Sequence, residues 1–364
     1  MNILFIHLLN NYTGSPMVLA NILKELSLRK EFNISLLTSK THGCLSGIHN
    51  VQYYDNHYKW SNNKVLLLLI FLFSQIYLFF FILFKTSKID IIYINTIHPF
   101  AAALAACFMK KKILYHVHEV YIHPNILQSI MWFVMEKTAW RIISVSQYVR
   151  KNIKRDSIVI YNTVSREFEY EAGRIAIIDI INHKFKSKNI VMISSLKKYK
   201  GIGIFISLAK RCPEYSFLLI MSSTQDEINQ HFLYIPLPQN IQLIPVQKDL
   251  LPYYFDASII VNLSLPDLWI ETFGMTLIEG FCLGTPSIAP DFGGPKEIVI
   301  NGENGFLVNP YDEDAVVKAF NTILSSESQY RQFVENVLRL KNRFSIDILI
   351  NSLINEINSL YLNK

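Results

Sequence analysis

The chain has 364 residues, enough for two α/β domains of roughly 150–180 residues each and too many for one ordinary core. Hydrophobic residues make up 51% of it and charged residues 18%, a balance that excludes disorder. Lysine and arginine exceed aspartate and glutamate by 35 to 29, a formal charge of +6 that suits an anionic phosphate ligand or lipid surface and falls short of a nucleic-acid footprint.

The first residues, MNILFI, lack the basic region and cleavage site of a signal peptide and read as a strand over residues 3–9. A helix follows, with Ser15 as N-cap, Pro16 at its first position, and Leu19, Ile22, Leu23 and Leu26 at i, i+3, i+4, i+7. Further buried-type strands are expected at 33–38, 90–95, 112–116, 141–145 and 158–161. Between the strands expected at 33–38 and 90–95, residues 65–84 run VLLLLIFLFSQIYLFFFILF, with only Ser74 and Gln75 strongly polar and Lys64 and Lys85 at the ends. By length this is a candidate membrane span. A span, however, would put the strands at 3–9 and 90–95, expected in one sheet, on opposite sides of a bilayer. The segment is therefore read as a helix lying in the membrane surface, with burial in protein and a true span as the alternatives.

Residues 165–188 are the least patterned stretch, ending in Lys184, Lys186 and Lys188, and the domain boundary is placed there. Strands then recur at 189–193, 216–221, 241–244, 258–263, 287–289 and 306–308. An amphipathic helix closes the chain over 346–362. Alternating strands and helices of this kind imply two doubly wound parallel sheets, with ligands at the carboxyl ends of the strands. Cys44, Cys107, Cys212 and Cys282 form no Cys-x-x-Cys pair, so a disulfide frame or zinc site is not expected and a reducing cytoplasm is.

The chemistry concentrates in residues 266–308, PDLWIETFGMTLIEGFCLGTPSIAPDFGGPKEIVINGENGFLV. Glu271 stands just before a helix expected from about Phe273-Gly274 to Leu283, and Glu279 lies inside it. Eight residues separate the two by about 12 Å along a helix axis. That exceeds the roughly 5–10 Å of a hydrolase acid/base pair and matches the distance from hexose to ribose in one nucleotide sugar. Each carboxylate accepts hydrogen bonds from neighbouring hydroxyls, and the amides of Phe273, Gly274 and Met275 at a helix start suit an oxygen-rich ligand.

This string, E-T-F-G-M-T-L-I-E-G followed by G-T-P and G-G-P-K-E, resembles the signature of the retaining GT-B glycosyltransferases grouped as glycosyltransferase family 4. The resemblance covers nearly the whole chain and is strongest over 250–308. It implies a GT-B fold: an acceptor-side Rossmann-like domain at 1–170 carrying the apolar segment 65–84, a nucleotide-sugar-binding domain at 187–344, and a helix at 345–364 crossing back to the first domain. It further implies that the two domains face each other across a cleft. Glu271 then holds the donor hexose with the amides of Phe273, Gly274 and Met275, Glu279 grips the ribose, and Lys200 in Lys198-Tyr199-Lys200-Gly201 meets the pyrophosphate. Gly14, in Tyr12-Thr13-Gly14-Ser15, matches the glycine-bearing donor loop. His118, in His116-Val117-His118-Glu119, matches a histidine close to the anomeric carbon. His116 points the same way if the strand continues, and Glu119 favours His118. The loop 245–251 is implicated in base recognition. One departure stands out: where the family has Gly-Arg before the lysine, this chain has Ser194-Ser195, with Lys197 or Lys198 as substitute charges lacking an arginine's fork.

Two other patterns are set aside. Asp312-Glu313-Asp314 has the spacing of a metal motif but precedes an apolar helix pattern, so its acids suit a helix N-terminus. Gly201-Ile202-Gly203 lacks the third glycine of a dinucleotide fingerprint. No metal or cofactor is expected beyond the nucleotide sugar. The resulting expectation is a retaining transferase moving a hexose or N-acetylhexosamine from a UDP- or GDP-sugar to a lipid-linked saccharide. Its setting is the cytoplasmic face of the inner membrane, in O-antigen, lipopolysaccharide or capsule synthesis, with no nucleic-acid partner. The alternatives are a catalytically silent membrane-associated GT-B subunit of an assembly complex, or a GT-B epimerase or phosphorylase.

Overall fold

The computed structural model of the chain describes residues 1–121, 124–175 and 177–362. It divides into two compact units, Met1–Asn162 with Ile346–Lys364, and Thr163–Ser345.

The first unit is built on seven parallel strands: β1 (Asn2–Ile6), β2 (Asn33–Thr38), β3 (Val51–Asp55), β4 (Ile91–Asn95), β5 (Lys112–Val117), β6 (Arg141–Ser144) and β7 (Ile158–Val159). Their spatial order is β3-β2-β1-β4-β5-β6-β7, with Ile3 of β1 level with Ile34 on one side and Ile91 on the other. Central strands covered on both faces need apolar residues at every position, and all five residues of β4 are buried. β3 was not anticipated. Its sequence, VQYYD, is half polar because it is an edge strand, paired on one side only and largely exposed.

The second unit has six parallel strands: β8 (Asn189–Ser194), β9 (Ser216–Met221), β10 (Ile241–Ile244), β11 (Ile259–Val261), β12 (Ser287–Pro290) and β13 (Gly305–Val308), in the order β10-β9-β8-β11-β12-β13. In each sheet the strand order reverses once, between β1 and β4 in the first unit and between β8 and β11 in the second. Crevices at such reversals are where doubly wound sheets bind ligands.

Several expectations are corrected. The division falls between residues 162 and 163 rather than at 170. Helix Arg166–Gly173 belongs to the second unit because it packs on helix Met275–Cys282, and Phe168 lies edge-on to Tyr254 at 5.9 Å. The weakly patterned stretch 165–188 thus carries two helices, Arg166–Gly173 and Ile177–Ser187. The first helix of the chain is Gly14–Ser27, with Thr13 rather than Ser15 at its N-cap position and no side-chain cap bond. Asn11 takes the Thr13 amide at 3.1 Å and its hydroxyl at 2.7 Å, turning the chain two residues early and leaving Pro16 third in the helix. The closing helix, Ile346–Leu362, lies in the first unit, packed on Gly14–Ser27 and tied to β6 by Arg141 and Glu356 at 2.8 Å.

The apolar segment forms helix Lys64–Lys85, capped by the Asn63 side chain. It is long and apolar enough to cross a membrane, with mean hydropathy 2.7. It also joins β3 to β4 of one sheet and buries Phe71, Ser74, Gln75, Leu78 and Ile82. Gln75 accepts the Ala101 amide, so this side of the helix is fixed to the unit. Spanning would pull one sheet across a bilayer.

Candidate functional site

In the second unit, Lys200 and Glu271 meet. Lys200 closes the short turn Lys198–Lys200 after β8, and Gly201 then opens helix Ile202–Arg211. Gly201 has φ +78°, and any side chain there would collide with the Leu263 carbonyl just after β11. That approach draws the two sides of the strand reversal together. Across it, Lys200 Nζ donates to Glu271 Oε2 at 2.6 Å, both side chains about one-fifth exposed. Ser264 donates to the same oxygen at 3.4 Å. Burial works to raise the Glu271 carboxyl, but the Lys200 charge and hydrogen bond, with hydrogen bonds from Asn262 and Ser264, hold it below its ordinary value. Glu271 is therefore an ionised acceptor at neutral pH, and Lys200 a fixed cation next to it.

Glu271 is followed by Phe273, which is buried, and by Gly274, which caps helix Met275–Cys282 at φ +121° without a side-chain cap bond. Gly274 has no side chain to offer the amides of the first turn, which begins at Met275. The later Gly293-Gly294 explains itself here. The Gly294 amide donates to the Glu271 carbonyl at 2.9 Å, and a Cβ at either glycine would strike the Glu271 or Thr272 carbonyl. The G-G-P string is thus the floor on which the Glu271 loop rests.

Glu279 sits in the second turn of that helix, half-buried, and is not brought together with Glu271; each has its own partner. Tyr254 donates its hydroxyl to Glu279 Oε2. Burial raises the Glu279 carboxyl above its usual range, with the Tyr254 hydrogen bond opposing it. Tyr254 is itself held from behind. Its carbonyl accepts from Lys184 Nζ at 2.7 Å, and the same fully buried amine donates to Thr285. Burial drives the Lys184 amine well below its usual value. Neither Tyr254 nor Lys184 was singled out from sequence. Ser194 and Ser195 are partly exposed and Lys197 and Lys198 exposed, which leaves Lys200 as the lysine of this turn that is half-buried against a carboxylate. Asp312 caps helix Glu313–Ile323 through the Ala315 amide, and Glu313 and Asp314 pair with Arg211, so these acids serve a helix start.

In the first unit a second polar cluster occupies the reversal between β1 and β4. Asn95 ends β4 and is fully buried. Its Nδ2 donates to the Ser15 carbonyl at 3.2 Å and to His7 Nδ1 at 3.1 Å, which orients its Oδ1 toward His118 Nε2 at 3.0 Å. That orientation assigns the His118 proton to Nε2 and leaves Nδ1 as the acceptor. His118 stands one residue past β5, its ring 4.4 Å from His116, so the two do share a side. His116 is spent inside, with Nδ1 on the Tyr93 hydroxyl at 2.7 Å. Glu119 pairs with His98 at 3.4 Å rather than with His118, so the reason for preferring His118 is its Asn95 partner. Burial lowers all three histidines: His7 to about 4, His116 to about 3, and His118 well below its ordinary value, helped there by His116 and His7. All are neutral at pH 7. Gly14 opens the first helix, exposed, with open space where a side chain would stand.

Two family models match the chain: Glycosyltransferase Family 4 over residues 14–168 and Glycosyl transferases group 1 over residues 174–339. An uncharacterized glycosyltransferase of Methanocaldococcus jannaschii is 24% identical over 274 residues, 72% of this chain and 73% of that one. An uncharacterized 41.2 kDa protein in the cps region of Klebsiella pneumoniae is 26% identical over 275 residues, 68% of this chain and 73% of its own. Among solved structures, Anabaena HepE in complex with UDP-glucose superposes with TM-score 0.75 at 18% identity, covering 99% of this chain and 100% of that one.

Proposed function

The chain belongs to the GT-B glycosyltransferases, and from that premise we propose that it moves a hexose or N-acetylhexosamine from a UDP- or GDP-sugar to a hydroxyl of a lipid-linked saccharide. The observation that carries the reading is the Lys200–Glu271 pair at the strand reversal of the second unit, beside two helix starts. An ionised carboxylate and a cation within 2.6 Å fit a ligand that offers hydroxyls and a diphosphate side by side. Glu271 accepts from two hexose hydroxyls, the Gly274 and Met275 amides meet sugar oxygens, and Glu279 takes the ribose diol. Lys200 turns from Glu271 toward the diphosphate. The Anabaena protein's UDP-glucose complex supports a nucleotide-sugar donor.

In the reaction, the bond from the anomeric carbon to the phosphate oxygen breaks as the acceptor hydroxyl oxygen bonds to that carbon. The hydroxyl proton passes to the departing phosphate oxygen, on the same face of the sugar, so configuration is retained. Lys200 and the N-terminus of helix Ile202–Arg211 stabilise the charge gathering on the diphosphate. In the first unit, His118, neutral and with Nδ1 unprotonated, offers a hydrogen-bond acceptor suited to a sugar hydroxyl, the role that the family resemblance implies for it. The Klebsiella relative's place in a cps region and the apolar helix Lys64–Lys85 support a peripheral enzyme of surface polysaccharide synthesis on the cytoplasmic face of the inner membrane.

The test is a panel of UDP- and GDP-sugars offered with a polyprenyl-pyrophosphate monosaccharide, with products read by mass. One sugar added from one donor, abolished by Glu271→Ala in a folded protein, is the expected result. Hydrolysis or epimerisation without transfer, or no turnover with any donor, overturns the reading.

A further inference from the structure

Helix Lys64–Lys85 is amphipathic in the wrong sense for water. Its two strongly polar side chains, Ser74 and Gln75, face inward, while Leu69, Phe73, Ile76 and Phe80 stand exposed, Phe73 to 63%. A helix bordering water shows the reverse. The inversion continues beyond that helix. Helix Phe100–Phe108 packs against it and exposes Leu104 and Phe108, the latter to 80%. Helix Asn125–Thr138 packs against that one in turn and exposes Ile126, Ile130 and Phe133 at i, i+4, i+7. Each of the three buries its other side, so one layer of neighbouring helices presents apolar stripes outward, far more than scattered single residues.

The charges on the first two helices and their flanks are one-sided. Residues 56–118 contain seven lysines and one acid, Asp90, which is occupied by the Asn2 amide, and the third helix adds Lys137 with one acid, Glu136, whose carboxylate accepts the Lys154 amide. Each of the three helices joins the end of one parallel strand to the start of the next, so all three finish at the same edge of the sheet. Lys85, Lys88, Lys110 and Lys137 are exposed at that edge, with Trp140 half-exposed beside them. Apolar side chains rimmed by lysines and an indole match acyl chains below anionic headgroups. Resting on the membrane reading above, we propose that the protein docks on an anionic lipid bilayer through all three helices, with the lysine edge reading headgroup charge, rather than through helix Lys64–Lys85 alone.

The experiment is vesicle co-sedimentation of the full chain with phosphatidylcholine alone and with phosphatidylcholine containing phosphatidylglycerol. Three variants are compared, each checked by circular dichroism and size: F73S/I76S/F80S, F108S/I130S/F133S, and K85Q/K88Q/K110Q/K137Q. The wild type should bind the anionic vesicles. The F108S/I130S/F133S variant, with the long helix untouched, should bind at least ~100-fold more weakly. The lysine variant should lose most of the preference for phosphatidylglycerol, roughly a hundredfold or more. Wild-type binding by F108S/I130S/F133S, with loss only in F73S/I76S/F80S, overturns the three-helix face and leaves the long helix as sole anchor. No vesicle binding by the wild type overturns both readings, and a dimer dissolved by either triple substitution would assign the face to a second copy of this chain.

Discussion

The three buried histidines of the first unit make its stability fall with acid in a calculable way. His7, His116 and His118 are neutral when folded, and each titrates near 6.5 when unfolded. Below pH 6.5 the unfolded chain takes up protons that the folded unit refuses. The stability these groups contribute is therefore complete above that pH and is lost as the pH falls, until the folded values of about 4 for His7 and about 3 for His116 are reached. At pH 5, each of these two costs about 2 kcal/mol relative to neutral pH, about 4 together, and His118 acts in the same direction. Against a domain stability of about 5–15 kcal/mol this is a large fraction. With a urea slope of about 2 kcal/mol per M, the unfolding midpoint should drop by about 2 M between pH 7.5 and pH 5. Tryptophan fluorescence reports it, because Trp60, Trp132 and Trp140 lie in the first unit and Trp269 in the second. His116→Gln should reduce the pH-dependent part by about 2 kcal/mol whatever its effect at pH 7.5. A midpoint that does not move with pH, or the assigned imidazole resonances of His7 and His116 titrating near 6.5 in the folded protein, would refute the reasoning.

Other outcomes follow from the second unit. Tyr254→Phe removes the hydroxyl bonded to Glu279 without changing the packing; a hydrogen bond to a carboxylate is worth about 1.5–3 kcal/mol, so the donor KM should rise about tenfold or more with kcat nearly constant. Equal losses in kcat and kcat/KM would show instead that Tyr254 acts in the transition state. Lys200→Met removes the partner that keeps Glu271 ionised, so the pH below which the hexose is held should move upward, read by titrating the intact nucleotide-sugar donor against pH with UDP alone as the reference. Gly294→Ala forces a methyl group into the Thr272 carbonyl and displaces the Glu271 loop; a fall in thermal midpoint together with lost transfer is expected, and a silent substitution would contradict the packing.

The two sheets were legible because buried parallel strands leave unbroken apolar runs such as ILFI and IIYIN. Glu271, Lys200 and the G-G-P string were marked by the family resemblance, and the structure supplies the physical reason for the glycines, which leave room for the Glu271 and Thr272 carbonyls. β3 escaped because an edge strand carries no such run. Lys184 escaped for the opposite reason: in the lysine-rich tail 184–188 it reads as one more solvated charge, and only the Tyr254 carbonyl and Thr285, 70 and 101 residues away, make it a core residue. Asn95 and Tyr254 likewise have no local signature, since their partners lie 23 to 88 residues distant. The placement of Glu119 beside His98 was beyond sequence as well, because it depends on how the loops after β4 and β5 fold over one another.

The central claim is that Glu271 and Glu279, two helical turns apart, hold opposite ends of one activated sugar with Lys200 at its diphosphate. A structure of the protein soaked with the donor that supports transfer tests this most directly. The account predicts sugar hydroxyls on Glu271, diphosphate oxygens on Lys200, and the ribose on Glu279 with Tyr254 still behind it. A nucleotide bound elsewhere, with Lys200 and Glu271 still paired to each other, would contradict it.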